Sequence, residues 1–207
     1  MCCGTGRRKI VNFFHLETKV VSRGAGRSVI AAAAYASCSR LYNDYDGLTH
    51  DYTRKQGCLY SEVFLPQYAP EEWKDRQVLW EAVESVEKTK DSRLARELVV
   101  ALPSDLSLDD WKGMLERFIR EQGTDLGMCA DVNIHDPYPR GIIHIAIFFS
   151  PCAPWMNMAN GRQRPRKNTF ASVAAKNVVL SLMSSKLPKH KAGRNNICIS
   201  LGRKRSI

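Results

Sequence analysis

Four consecutive alanines, Ala31 to Ala34, run into Tyr35 within the stretch Gly26-Arg-Ser-Val-Ile-Ala-Ala-Ala-Ala-Tyr-Ala-Ser-Cys-Ser-Arg40. Alanine is the best helix former and Ser28 is a good N-cap, so this run predicts a helix from about Val29 to Leu41. Its small side chains give the helix one nearly flat side. Two uses of such a side are open: close packing on a sheet, or a face laid against a substrate into which Tyr35 reaches. Arg23, Arg27 and Arg40 flank the run, which suits a polyanion.

Charge sharpens that second use. The 207 residues carry a formal net charge of +10, which points to an acidic partner, most simply nucleic acid. The charge is unevenly spread. All 21 Asp and Glu lie at or before Asp136, whereas the 71 residues that follow hold 13 Lys and Arg and no acid. A natural folded segment normally mixes both signs.

The seven cysteines form no C-x-x-C pair and no metal-like spacing, so a reduced cytoplasmic setting fits better than a disulfide framework. No apolar run is long enough to span a membrane, and the first nine residues lack the apolar core of a signal peptide. Residues 1–10 are expected to form a disordered extension.

In chain order, strands and helices alternate. Val11 to Val21 reads as a strand, stopped by Ser22-Arg-Gly-Ala-Gly26. Asn43 to Gly47 is a turn signal, and His50 to Gly57 reads as a polar, basic and aromatic loop before a strand at Tyr60 to Leu65. Such loops are usually just solvated, but Tyr52, Arg54 and Lys55 could equally stack on and neutralise a single strand of nucleic acid. Residues 71–89, with Pro70 before Glu71 and Glu72, read as an amphipathic helix that turns Trp73 and Trp80 into the core. Leu94 to Leu102 reads as a buried strand, and Ser107 with Asp110 as a capping box opening a helix to about Gln122. Met128 to His135 and Gly141 to Ser150 read as two more strands. The pattern indicates an α+β or α/β sandwich closed by an antiparallel hairpin.

Three groups carry possible chemistry: Tyr35, Glu97 and His135. A carboxylate and a histidine on neighbouring strands can hold a divalent metal, although a satisfied core histidine is the commoner case. A phenol is a poor nucleophile unless a cation or a base assists it, and a metal beside Tyr35 would supply that cation.

Five blocks then resemble the MobA/MobL family of plasmid mobilisation relaxases, which are HUH-type endonucleases. They are S-R-G-x-G-R-S-x-x-A-A-A-A-Y, H-D-Y-T-R-K-Q-G, S-E-V-F-L-P, L-A-R-E-L-V-V-A-L-P and D-V-N-I-H-D-P, in that order, within about residues 11–137. The resemblance implies an α+β fold, an antiparallel-rich sheet with packed helices in a relaxase-like sandwich. It also implies a tyrosine that attacks one phosphodiester at a transfer origin, becomes joined to the DNA 5′ phosphate, and later reverses the link. By position Tyr35 matches that nucleophile, and Glu97 and His135 match metal ligands for Mg or Mn. The implied partners are single-stranded DNA at a transfer origin and accessory mobilisation proteins.

One block departs from the pattern. The family follows I-H-D-P with N-P-H-x-H, two of whose histidines complete the metal site, whereas this chain has Arg140-Gly-Ile-Ile-His-Ile-Ala-Ile-Phe-Phe149 and keeps only His144. Residues 143–167 can be encoded so that reading one base earlier gives N-P-H-S-H-I-F-L-T-M-R-P-M-D-E-H-G-K-W-Q. Trp155 and Met156 have single codons and force the D of M-D-E. A frameshift between about Pro137 and Ile142 accounts for both the missing histidines and the missing acids.

The expected organisation is therefore a relaxase N-terminal domain over residues 11–140 and an out-of-frame, acid-free, poorly ordered tail over 141–207. The sheet is expected to be incomplete at its C-terminal end, without a central member, and Gly141 to Phe149 is the one tail segment expected to pair. Three functions compete: a metal-dependent nickase of single-stranded DNA acting through Tyr35, a crippled relaxase fragment that only binds DNA, and a generic basic nucleic-acid binder. In the first two, Arg23, Arg27, Arg40, Tyr52, Arg54 and Lys55 are the candidate DNA contacts, and Glu97, His135 and His144 the candidate metal ligands.

Overall fold

The computed structural model describes residues 15–136 and 144–151. Among them, the main sheet has five strands: β1 (Leu16–Ser22), β4 (Cys58–Phe64), β5 (Arg93–Ala101), β6 (Ala130–His135) and β7 (Ile145–Pro151). They lie in the order β1-β5-β7-β6-β4, every neighbouring pair antiparallel. A separate hairpin joins β2 (Arg40–Asn43) to β3 (Leu48–Asp51). Helices α1 (Val29–Ser37) and α2 (Arg76–Val86) cover one face of the sheet and α3 (Leu108–Gln122) covers the other. This is an α+β fold, as the sequence indicates.

Side-chain alternation along the strands decides which helix each residue meets. On β6, Val132 and Ile134 join Trp111, Leu115 and Ile119 of α3 in one core cluster. Their neighbours Asp131, Asn133 and His135 point to the opposite face, which α1 and α2 cover. Both faces are thus covered, and the polar residues that β6 turns toward α1 and α2, Asp131, Asn133 and His135, are buried with the rest.

Helix α1 begins where its sequence says it should: the Ser28 hydroxyl accepts the Ala31 amide at 3.1 Å. It ends four residues earlier than the alanine run predicts. Cys38 adopts φ 54°, a left-handed C-cap, and the chain turns into the hairpin, so Leu41 belongs to β2 rather than to the helix. The flat side serves packing, with Ala33, Ala34 and Ala36 buried, while Tyr35 projects from the other side at 51% exposure.

The amphipathic stretch 71–89 is not one helix. A 3-10 turn over Glu71–Lys74 precedes α2, and Asp75 separates them by capping α2 with an Oδ1 that accepts the Gln77 amide at 2.8 Å. Trp73 and Trp80 are both buried, as expected. Trp80 also donates its indole N–H to Asp131 at 3.0 Å. Arg76 clamps the same carboxylate with two bonds of 2.7 and 2.9 Å, and Asn133 adds a third donor at 3.0 Å. A fully buried Asp131 is tolerable only because every acceptor site is filled, and this network fixes α2 on the sheet. The capping box of α3 is complete, Ser107 and Asp110 each accepting the other's backbone amide.

Two further expectations change. The span His50 to Gly57 is not wholly loop: Leu48–Asp51 pairs with Arg40–Asn43, bent back by the Asn43 to Gly47 turn. The sheet also does not lack a central strand. Ile145–Pro151 lies between β5 and β6, because its run of β-branched and aromatic residues satisfies two neighbours and two apolar faces at once. The expected disordered extension over residues 1–10, and the poor order expected for 141–143 and 152–207, lie outside the described residues.

Candidate active site

The C-terminal end of α1, the loop between β3 and β4, and the end of β6 meet in one place, the tyrosine cleft. Tyr35 stands at its mouth. The Tyr52 ring meets the Tyr35 ring edge-on, with centroids 5.3 Å apart and planes at 88°. Lys55 places its ammonium 3.6 Å from the centre of the Tyr35 ring and donates to the Tyr35 carbonyl at 2.9 Å. Burial holds the Lys55 amine below its usual range, with the nearby sulfurs of Cys38 and Cys58 opposing that shift. The cation thus covers the face of the exposed phenol while filling one of the carbonyls that the helix end leaves open.

His135 closes the floor of the cleft. It is buried, its strand position lies opposite Cys58 of β4, and its ring hydrogen-bonds the Ala36 backbone, one residue beyond Tyr35. Burial first, and the Lys55 charge second, hold its pKa below the usual histidine value, while the Ala36 bond opposes both. Nε2 is buried without a hydrogen-bond partner, so the bond to the Ala36 carbonyl runs from Nδ1 and leaves Nε2 as an open acceptor. The sequence does not reveal the Ala36 contact, because a backbone carbonyl carries no side-chain signature.

The other two candidate ligands lie elsewhere. Glu97 shares the sheet face of His135 but sits on the register row of Phe149 and Asp131, four residues along β6 and two strands over. At ordinary strand spacings that separates the two by on the order of 15 Å. The Glu97 carboxylate accepts from Arg27 at 2.9 Å, at the opposite end of α1 from Tyr35. His144 pairs in register with Asp136 beyond the end of β6 and faces α3, its ring 4.6 Å from Trp111 and its Nε2 3.4 Å from the Asp136 carboxylate. It is therefore on the other side of the sheet from His135. Strand parity, which a linear motif does not display, separates them.

A divalent ion needs several donors converging on one point. Among the described residues no group of three His, Cys, Asp or Glu side chains could hold one, and His135 Nε2 is an isolated open nitrogen. The described residues do not fit the metal centre that the resemblance implies.

The candidate DNA contacts divide in the same way. Arg23 is structural: its guanidinium bonds the Glu87 and Thr89 carbonyls and the Glu84 carboxylate, stacks on Tyr45 at 4.2 Å, and keeps only 9% of its side chain exposed. Arg27 is tied to Glu97 yet stays 39% exposed. Arg40 and Arg54 are exposed near the exposed Asp51 carboxylate, and they flank the hairpin and loop that carry Tyr52. The cleft thus offers an exposed phenol, an ammonium on its ring, a buried imidazole with an open nitrogen, and exposed guanidinium groups on the neighbouring hairpin and loop.

Comparisons with known proteins identify relatives of the chain. The MobA/MobL family profile matches residues 27–177. A conjugal transfer protein TraA of Rhizobium radiobacter is 37% identical over 148 residues, covering 66% of this chain and 13% of its own length. A mobilization protein MobL of Acidithiobacillus ferridurans is 39% identical over 124 residues, covering 60% of this chain and 32% of its own. The chain therefore spans a third or less of those two relatives. A solved chain described as "Molecular Basis of Vancomycin Resistance Transfer in Staphylococcus aureus" is 30% identical with a TM-score of 0.66, over 76% of this chain and 78% of that one. Among the described residues no helix is long and apolar enough to cross a membrane. With its profile match covering well over half of the sequence, the chain belongs to the MobA/MobL family of plasmid mobilisation relaxases.

Proposed function

We propose that this protein cuts one DNA strand at a plasmid transfer origin in the cytoplasm during conjugative mobilisation, with Tyr35 as nucleophile. The Tyr35 oxygen attacks the scissile phosphorus and gives up its proton, the tyrosyl ester to the 5′ phosphate forms, and the released strand leaves with a protonated 3′ hydroxyl. Attack by that hydroxyl on the ester reverses the step and recloses the strand. One observation carries the reading: the single tyrosine of α1 is half exposed at the cleft mouth with a lysine ammonium on its ring face. Such a cation offers positive charge to an approaching phosphate. Arg40, Arg54 and Tyr52 supply the groove for a single strand.

A second reading is favoured by the lack of converging metal donors among the described residues: the chain binds the origin strand without cutting it. Incubating the full chain with a transfer-origin oligonucleotide and manganese or magnesium distinguishes the two. A covalent adduct that disappears in Tyr35→Phe supports cleavage. Binding without an adduct supports the second reading, and sequence-blind, salt-sensitive binding leaves only a generic basic protein.

A further inference from the structure

Asp51 puts an exposed carboxylate where a surface for DNA would do better without one. It pairs in register with Arg40 and precedes Arg54 by three residues, the two exposed arginines beside the tyrosine cleft. A negative charge there opposes the approach of a phosphate. In return it shapes the chain. Its Oδ1 accepts the Thr53 amide at 3.0 Å and the Thr53 hydroxyl at 2.7 Å, so the side chain imitates a backbone turn and spans the Tyr52 peptide unit. The amide bond first and the hydroxyl bond second hold the Asp51 carboxyl below its usual range, and the charges of Arg40 and Arg54 add to them.

Backbone bonds carry that turn to the tyrosine helix. The Tyr52 amide donates to the Ser39 carbonyl at 3.1 Å, just past the end of α1, and the Lys55 amide closes on the Tyr52 carbonyl at 2.9 Å. Both side chains then return to a single residue. Tyr52 meets the Tyr35 ring edge-on at 5.3 Å, and the Lys55 ammonium lies 3.6 Å above that ring while donating to the Tyr35 carbonyl. The pose of both groups on Tyr35 thus depends on the path of residues 51–55, and Asp51 bonds across the start of that path.

We propose that Asp51 is a positioning residue of the tyrosine cleft: its Oδ1 templates the turn that sets Tyr52 and Lys55 against Tyr35, while its charge holds down affinity for the strand. The two effects are separable. Asparagine keeps the same acceptor oxygen without the charge, and alanine keeps neither. The pose of Lys55 is a matter of geometry alone; its effect on adduct formation rests on the reading of Tyr35 as nucleophile.

The test compares the full chain with Asp51→Asn, Asp51→Ala and Thr53→Val. Protons held over an aromatic face resonate upfield, so the Lys55 ε-methylene should be shifted upfield by NMR and lose that shift in Tyr35→Leu, which identifies it. The shift should persist in Asp51→Asn, shrink in Thr53→Val, which keeps only the amide bond, and vanish in Asp51→Ala. Single-turnover adduct formation at saturating transfer-origin oligonucleotide, with manganese or magnesium, should follow the same order. Its rate should be unchanged in Asp51→Asn and about tenfold lower in Asp51→Ala. Asp51→Asn should also bind the oligonucleotide about threefold more tightly at low salt. An unchanged Lys55 resonance in Asp51→Ala, or an Asp51→Asn chain that loses the shift and the rate as Asp51→Ala does, would overturn the proposal. A wild-type chain that forms no adduct, with the Lys55 resonance still following the variants, would instead count against the nucleophile and uphold the positioning of Lys55.

Discussion

Lys55 touches Tyr35 twice, with its ammonium over the ring at 3.6 Å and its proton on the residue's own carbonyl at 2.9 Å. The side chain is therefore held in place by the backbone of the residue whose phenol it influences. Replacing it with methionine keeps the length and removes the charge. Lys55→Met should slow formation of the Tyr35 adduct by roughly three- to thirtyfold, the range expected from a partly desolvated cation on an aromatic face. Lys55→Arg should recover part of that loss. Single-turnover measurement of the adduct checks both, and equal rates in all three proteins would remove Lys55 from the reaction.

His135 sets a pH dependence on stability. Its folded pKa lies below the free value of about 6.5, so the unfolded chain binds the proton more readily. The neutral ring contributes fully above that value, and stability falls as the pH drops from about 6.5 toward the folded pKa. Thermal midpoints recorded from pH 7.5 to 5 should show this decline, and His135→Gln should flatten it. An unchanged slope in the variant would mean that another group titrates.

Arginines that look alike in the sequence should respond differently to mutation. Arg23→Ala removes a buried cation from Glu84 and two carbonyls, so it should lower the melting temperature and leave the salt dependence of DNA binding alone. Arg54→Ala and Arg40→Ala should leave folding unchanged. Each should reduce the slope of log affinity against log salt by about 0.7, the value for one lost contact to a single strand. Equilibrium binding at several salt concentrations, together with thermal melts, separates the two classes.

The missing acids make a prediction at the level of the gene. If the segment after Pro137 arose by a shift of frame, the nucleotides for residues 143–167, read one base earlier, should spell N-P-H-x-H followed by M-D-E. Sequencing that region decides it. Codons that cannot yield N-P-H-x-H would leave the acid-free composition as a property of the original reading frame.

Local chemistry made much of the fold legible. Ser28, Asp110 with Ser107, and the alternating strand residues act within a few positions of themselves, so caps, helices and strands could be read directly. Tyr35 stood out for the same reason. The Arg40–Asp51 hairpin was hidden because its strands are short and largely exposed, which leaves little hydrophobic pattern. The separation of Glu97, His135 and His144 was not legible because it follows only from sheet register and strand parity. Arg23 looked like a DNA contact because nothing near it in sequence discloses Glu84 or Tyr45.

The position of Ile145–Pro151 bears on how the molecule can be shortened. It is the seam between two halves: β1 and β5 on one side, β6 and β4 on the other, with no ladder joining them except through it among the described residues. A fragment stopping at residue 140 would hold every residue of the tyrosine cleft yet come apart into two unstitched ribbons, each with a naked inner margin. The smallest autonomous unit of this protein therefore reaches past the last acidic residue, into the segment whose composition looks least like the rest.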